Sequence, residues 1–275
     1  MKFNAKKRKK LVILLSLFIA CIIFFYAQNN FIQITEIDIR SQDILSEIKI
    51  VHLSDLHGKE FGKNNTLLIS KVKEQTPDII AFTGDLIDRS GKNSQGSVAF
   101  LSELNKFCPV YYIPGNHEHW SGLSEVVFEQ LKTSNIKVLR CDLESISIKN
   151  TQIDILGMDE FSFDSNSINE EIQVLEKSES FKLILSHYPE NFSSLYNSRD
   201  IDLVLSGHAH GGQFIIPFAG GLYAPGQGFF PRYYKGRYNE NGVNLVVSRG
   251  LGNSAIPIRV FNRPEIVSIK LKPTT

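Results

Sequence analysis

The chain has 275 residues, 42% hydrophobic and 21% charged, enough apolar material to bury a full core and too much for a disordered chain. Three cysteines are too few for a small disulfide scaffold. The formal net charge of +1 hides an asymmetry: Lys2, Lys6, Lys7, Arg8, Lys9 and Lys10 stand in the first 30 residues without any acid, which leaves 24 basic against 29 acidic residues in the remainder, a net of −5. That balance argues against non-specific nucleic-acid binding by the folded part.

Residues 1–10 form the basic stretch. Leu11 to Ala27, LVILLSLFIACIIFFYA, is an uncharged run of 17 residues, and about 17–25 apolar residues cross a bilayer core. A cleaved signal peptide competes with an anchor here, but Phe25 and Tyr26 occupy the positions where small residues precede a cut. Lipid attachment at Cys21 is opposed by Phe18 three residues before it and by the apolar run continuing past it. The segment is therefore read as a transmembrane helix over 11–27. Its basic flank keeps the N-terminus in the cytoplasm and puts the following domain, 31–275, outside the cell membrane as a single-pass protein. For Cys108 and Cys141, one disulfide and two buried thiols both remain open.

Along the chain, FIQITEIDI alternates as a half-buried strand does, and LSEIKIVHLSD is a second strand ending in polar residues. Asn64 and Asn65 are candidate caps for a helix through Gln75, which Pro77 terminates. The order then repeats: DIIAFTGD strand, GSVAFLSELNKF helix, PVYYIPGN strand, LSEVVFEQLKTS helix. Such alternation indicates an α/β domain with parallel strands and right-handed crossovers. A hairpin is expected around Asn150, followed by the buried strands FKLILSH and IDLVLSGH. Residues 217–241, rich in Gly, Pro and aromatics, read as irregular, before NLVVSRG and EIVSIKLK return as strands.

The residues capable of chemistry stand where these strands finish, the place where open α/β sheets bind ligands. The five ends read Asp55-Leu56-His57, Gly84-Asp85-Leu86-Ile87-Asp88-Arg89, Gly115-Asn116-His117-Glu118, a single His187, and Gly207-His208-Ala209-His210-Gly211-Gly212. Five of the seven histidines fall in these motifs, whereas His52 and His119 lie outside them and are read as structural. Asp, Asn and His are oxygen and nitrogen donors suited to Mn, Fe or Zn. Seven such donors exceed one ion's needs, and a carboxylate with two oxygens, such as Asp85, is able to bridge two.

The ordered set D-x-H, GDxxDR, GNHE, a lone His and GHxHGG resembles the calcineurin-like metallophosphoesterase superfamily, from about Ile48 to Lys272. The tail from Gly220 to Pro264 looks like its membrane-associated branch acting on phosphodiester or lipid-linked substrates. The resemblance implies a four-layer α-β-β-α sandwich. It also implies two transition-metal ions, manganese favoured: Asp55, His57, Asp85 and His210 on one, and Asp85, Asn116, His187 and His208 on the other. His117 would contact the phosphate and protonate the leaving oxygen, Asp88 would orient His117, and Arg89 would approach the phosphate, although Arg89 reads equally as a surface residue. The implied activity is hydrolysis of a phosphodiester or pyrophosphate by a metal-bound hydroxide. A phosphomonoesterase and an anchored metal-binding protein without turnover are the alternatives. Phe229, Phe230, Tyr233, Tyr234 and Tyr238, with Arg232, Lys235 and Arg237, either meet a phosphorylated small-molecule or lipid-linked substrate or pin down their own loop.

Overall fold

The computed structural model describes residues 5–253 and 256–274. Lys2 of the basic stretch, Ser254 and Ala255 of the tail, and Thr275 at the end of the expected domain lie outside the described residues.

Helix α1 (Ala5–Asn30) contains the whole apolar run, and its side chains from Leu11 to Ile23 stand exposed. It is long and apolar enough to cross a membrane. The rest of the chain folds around two six-stranded sheets. The first is built from β1 (Gln33–Ser41), β2 (Ile48–Leu53), β3 (Ile79–Thr83), β4 (Val110–Ile113) and β5 (Lys137–Val138). The second uses β6 (Asp142–Ile148), β7 (Thr151–Gly157), β8 (Phe181–Leu185) and β9 (Leu203–Ser206). Two tiny hairpins follow, β10 (Ile215–Ile216) with β11 (Gly220–Gly221) and β12 (Tyr223–Ala224) with β13 (Gly228–Phe229). Then β14 (Gly236–Glu240) and β15 (Val243–Val247) join the second sheet, and β16 (Glu265–Pro273) returns to the first. The sheet orders are β1-β16-β2-β3-β4-β5 and β14-β15-β9-β8-β7-β6. Strands β2, β3, β4 and β5 run parallel, as do β15, β9, β8 and β7.

Successive strand residues point to opposite faces, and here both faces are covered. In β3, Ile79 and Ala81 enter the layer between the sheets, while Ile80 and Phe82 pack under α2 (Thr66–Glu74), α3 (Ser94–Asn105) and α5 (Ser124–Thr133). In β8, Phe181, Leu183 and Leu185 meet the first sheet, and Ile184 faces α6 (Ser165–Glu176). The result is the four-layer α-β-β-α sandwich. Double-sided burial is why these strands are unbroken apolar runs.

Several local expectations change. Asn65 adopts left-handed backbone before α2 and makes no side-chain cap; its Oδ1 accepts the Phe61 N–H at 2.9 Å. The segment read as irregular holds β11, the hairpin of β12 and β13, and β14. Helix α6 was not anticipated; Asp164 caps it by accepting the Asn166 and Ser167 N–H groups. Cys108 and Cys141 are free thiols.

Candidate metal centre

The parallel strands β2, β3, β4, β8 and β9 deliver the five motifs to one rim. Hydrogen bonds tie the loops together there: the Asp55, His57 and Gly58 N–H groups donate to the carbonyls of Gly84, Asp85 and Leu86 at 3.0, 3.0 and 3.1 Å. Side-chain β-carbons are excluded where loops cross. A Cβ on Gly115 would collide with Asp85 Oδ1, and one on Gly207 with Ser54 Oγ and Asp55 Oδ2, so both positions require glycine. Asp55, His57, Asp85, His208 and His210 all take left-handed backbone, with φ of 52°, 49°, 56°, 62° and 47°. Residues held in that region cost of order 1–3 kcal/mol each and cluster at functional sites.

The side chains fall into two groups whose potential ligand atoms lie within 4.8 Å of one another: Asp55, His57, Asp85 and His210, and Asp85, His187 and His208. Asp85 belongs to both. Its Oδ1 accepts the His117 N–H at 2.9 Å, while Oδ2 lies 3.6 Å from His57 Nε2 and 3.4 Å from His187 Nε2. In the first group, His210 Nε2 is 3.5 Å from Asp55 Oδ1 and 3.1 Å from His57 Nε2. In the second, His187 Nε2 is 3.1 Å from His208 Nδ1 and 3.2 Å from Asn116 Oδ1. Asn116 opens the short helix α4 (Asn116–Ser121). The carbonyl of Thr83 accepts from His187 Nδ1 at 2.7 Å, which fixes a proton on Nδ1 and aims Nε2 at Asp85, His208 and Asn116.

These residues fit a pair of cations. Asp55 and Asp85 are essentially inaccessible to solvent, and burial pushes Asp55 up to about 7. Burial likewise pushes His57 down to about 4 and His208 to about 3, and lowers His210 as well. These are neutral imidazoles, the form that binds metal. His187 is the exception: burial opposes its charge, but neighbouring Asp85 raises it to about 10. Oxygen and imidazole donors in this mixture suit borderline divalent ions.

Around the groups, Asp88 departs from its expected place. Its Oδ1 accepts the Ser90 and Lys92 N–H groups and the Ser90 hydroxyl, closing a turn, and the group that orients His117 is the Arg89 N–H, donating to Nδ1 at 3.0 Å. That bond leaves the imidazole proton on Nε2. The Arg89 guanidinium lies over Trp120, 5.9 Å from the ring centre, and Trp120 stands 5.2 Å from the His117 ring. A cavity of about 450 Å³ opens here, lined by His57, Lys59, Asp88, Arg89, His117 and Asn253.

Sequence reasoning missed the roles of two carboxylates, buried Glu118 and half-buried Glu160. Glu118 accepts the N–H groups of Asp85, Ile87 and Gly115 at 2.9, 3.0 and 2.7 Å, clamping two motifs together. Glu160 accepts the His187 N–H at 3.0 Å and the Ser186 hydroxyl at 2.5 Å. Their value lies in which backbone groups they reach, which no spacing reveals. Outside the motifs, His52 pairs with Thr83 Oγ1 at 2.8 Å and His119 with Asp159 at 2.9 Å.

The aromatic segment does not line the cavity. Tyr233 and Arg232 bond to Glu240, each at 2.7 Å, the Tyr238 hydroxyl accepts the Tyr234 N–H, and Arg237 donates to Asn244 and the Asp38 carbonyl. Lys235 lies over the Tyr234 ring, while Phe218, Phe229 and Phe230 are left strongly exposed.

A sandwich of this order with a shared-carboxylate cluster at the strand ends defines a candidate two-metal phosphoesterase. The family model of calcineurin-like phosphoesterases matches residues 48–212. The chain is 35% identical over 274 residues to the uncharacterized metallophosphoesterase Cj0846 of Campylobacter jejuni, covering 96% of this chain and 70% of that one. It is 31% identical over 260 residues to the uncharacterized metallophosphoesterase YkuE of Bacillus subtilis, covering 90% and 88%. A zebrafish transmembrane protein with metallophosphoesterase domain is 28% identical over 277 residues, covering 94% of this chain and 62% of that protein. The chain belongs to the calcineurin-like phosphoesterase family.

Proposed function

We propose that the chain is a membrane-anchored phosphoesterase that hydrolyses phosphodiester or pyrophosphate bonds with two divalent ions, manganese foremost. Asp55, His57, Asp85 and His210 would hold one ion and Asp85, Asn116, His187 and His208 the other. The observation that carries this is Asp85 Oδ2, which faces a histidine of each group at 3.6 and 3.4 Å. Two such ions supply charge neutralisation at the phosphoryl oxygens and an acidified water.

The protein's own groups do the rest. His117 presents its Nε2–H toward the cavity as a hydrogen-bond donor to an ester oxygen. Full protonation would require Nδ1 to give up the Arg89 N–H, so donation without complete proton transfer is the role this geometry favours. Arg89 contributes positive charge at the cavity wall, whereas Asp88 serves the turn that presents it. A neighbouring cavity of about 640 Å³, lined by Gly58, Glu60, Lys92 and Asn93, leaves room for the second organic arm of a diester, which favours a diester over a monoester.

The anchor is α1 with its basic flank inside, so the domain 31–275 stands outside the cytoplasmic membrane. The zebrafish relative's name gives support to the anchor. Turnover of the metal-loaded full chain in detergent is the test, against bis-p-nitrophenyl phosphate, the monoester and nucleotide diphosphates. Preference for the diester or diphosphate is expected. Preference for the monoester would replace the reading with a phosphomonoesterase, and metal binding with no turnover would leave a binding protein.

A further inference from the structure

The outer end of α1 does not hang free of the domain. Phe24 meets Phe261 edge-on, ring centres 5.6 Å apart. Gln28 Oε1 accepts the Asn262 N–H at 3.2 Å, and Lys59 donates to the Asn29 carbonyl, one of the four that a helix end leaves unpaired. Three contacts on two loops fix the angle at which the helix leaves the domain. One of those loops contains Lys59, which lines the cavity beside His57 and His117.

Depth follows from helix geometry. The apolar run ends at Ala27, and Phe24 lies three residues inside it, about 4.5 Å along the axis at 1.5 Å per residue. A bilayer crossed by α1 therefore surrounds Phe24, and Phe261 is held at the same level. Phe261 is 54% exposed, and Ile256 and Ile258 on the same loop are 47% and 42% exposed. This loop is no loose tail. Gln213 donates to the carbonyls of Ile256 and Ile258 at 2.8 Å, the Ile215 N–H donates to the Val260 carbonyl at 3.0 Å, and buried Arg259 donates to the carbonyls of Arg249, Gly252 and Asn262. The charged side chain of the run turns inward while three large apolar ones turn out. Clustered apolar exposure of this kind marks a contact surface, and Tyr26 beside Phe31 at the helix end is the aromatic pair expected at a membrane–water boundary.

We propose that Ile256, Ile258 and Phe261 form a ledge that rests in the outer surface of the bilayer beside α1 and holds the metal cavity at the level of the lipid headgroups. This rests on the anchor reading of α1. The occupant is lipid because the residue that packs on Phe261 belongs to the helix that would span it. With the ledge seated, the cavity faces phosphates lying in the plane of the membrane.

Fluorescence of the full chain reconstituted into phosphatidylcholine–phosphatidylglycerol vesicles tests it. With Trp120→Phe removing the single native tryptophan, a reporter is introduced as Phe261→Trp, as Phe18→Trp within α1, or as Val174→Trp on exposed α6. The expected result is blue-shifted emission for Phe261→Trp that is quenched when the acyl chains carry bromine, as for Phe18→Trp, with Val174→Trp unquenched. Quenching at Phe18→Trp but not at Phe261→Trp overturns the ledge and leaves the anchor. No quenching at Phe18→Trp removes the anchor and the ledge with it. A blue shift at Phe261→Trp without bromine quenching means protein covers the loop, which also overturns the proposal.

Discussion

At the candidate metal rim, five residues accept left-handed backbone, and side-chain nitrogens and oxygens face one another across 3–4 Å. In residues 217–241 the side chains are as varied, yet Tyr233, Arg232, Tyr238 and Arg237 spend their polar atoms on the fold itself. A polar group satisfied by its own protein is structural, and one left facing other acceptors is arranged for a ligand. Backbone strain does not separate the two, because Phe218 and Phe230 also take left-handed backbone, with φ of 67° and 54°. Chemically suggestive composition marked both regions, and only the direction of the polar atoms separates them.

The largest effect should come from Asp85→Asn. It removes the charge that both groups share, so metal content should fall at both positions and kcat by about 10³-fold or more, the equivalent of several kcal/mol. Metal analysis with steady-state kinetics measures both, and a variant with normal content and rate would break the distinction at its centre. Next, His117→Ala should keep its metals and lose about 10²–10³-fold in kcat, the usual cost of one donor to developing charge. His117→Gln, which restores an N–H, should recover part of that loss. If Gln is no better than Ala and the deficit grows with poorer leaving groups, His117 transfers a proton instead. Smallest should be Tyr233→Phe, which deletes one hydrogen bond to Glu240: about 1 kcal/mol of stability, seen as a few degrees in a calorimetric midpoint, with kcat/KM unchanged. A fall in kcat/KM at an unchanged midpoint would place the segment in contact with substrate and erase the contrast.

Much of the rim was legible because each motif directly follows an apolar strand, and a strand buried on both faces leaves its end as the first place for polar residues. The pairing of two sheets came from the motif resemblance, since periodicity says which face is apolar and not what covers it. Helix α6 escaped because its apolar positions, Ile168, Ile172 and Leu175, are spread through a polar sequence. Helix α4 is only six residues long, and Glu118 holding the Gly115 N–H fixes its start. Asp88 was misplaced for a related reason: an aspartate two residues before a serine closes a turn as readily as it supports a histidine, and only coordinates show which N–H it meets. The roles of Glu118 and Glu160 were invisible because backbone N–H groups carry no sequence.

Elemental analysis of the active full chain, purified without added chelator, tests the shared-carboxylate centre most directly. Two transition-metal ions per chain are expected, with turnover lost on chelation and regained as the second ion returns. A fully active preparation holding one ion or none would contradict the two-metal centre built on Asp85.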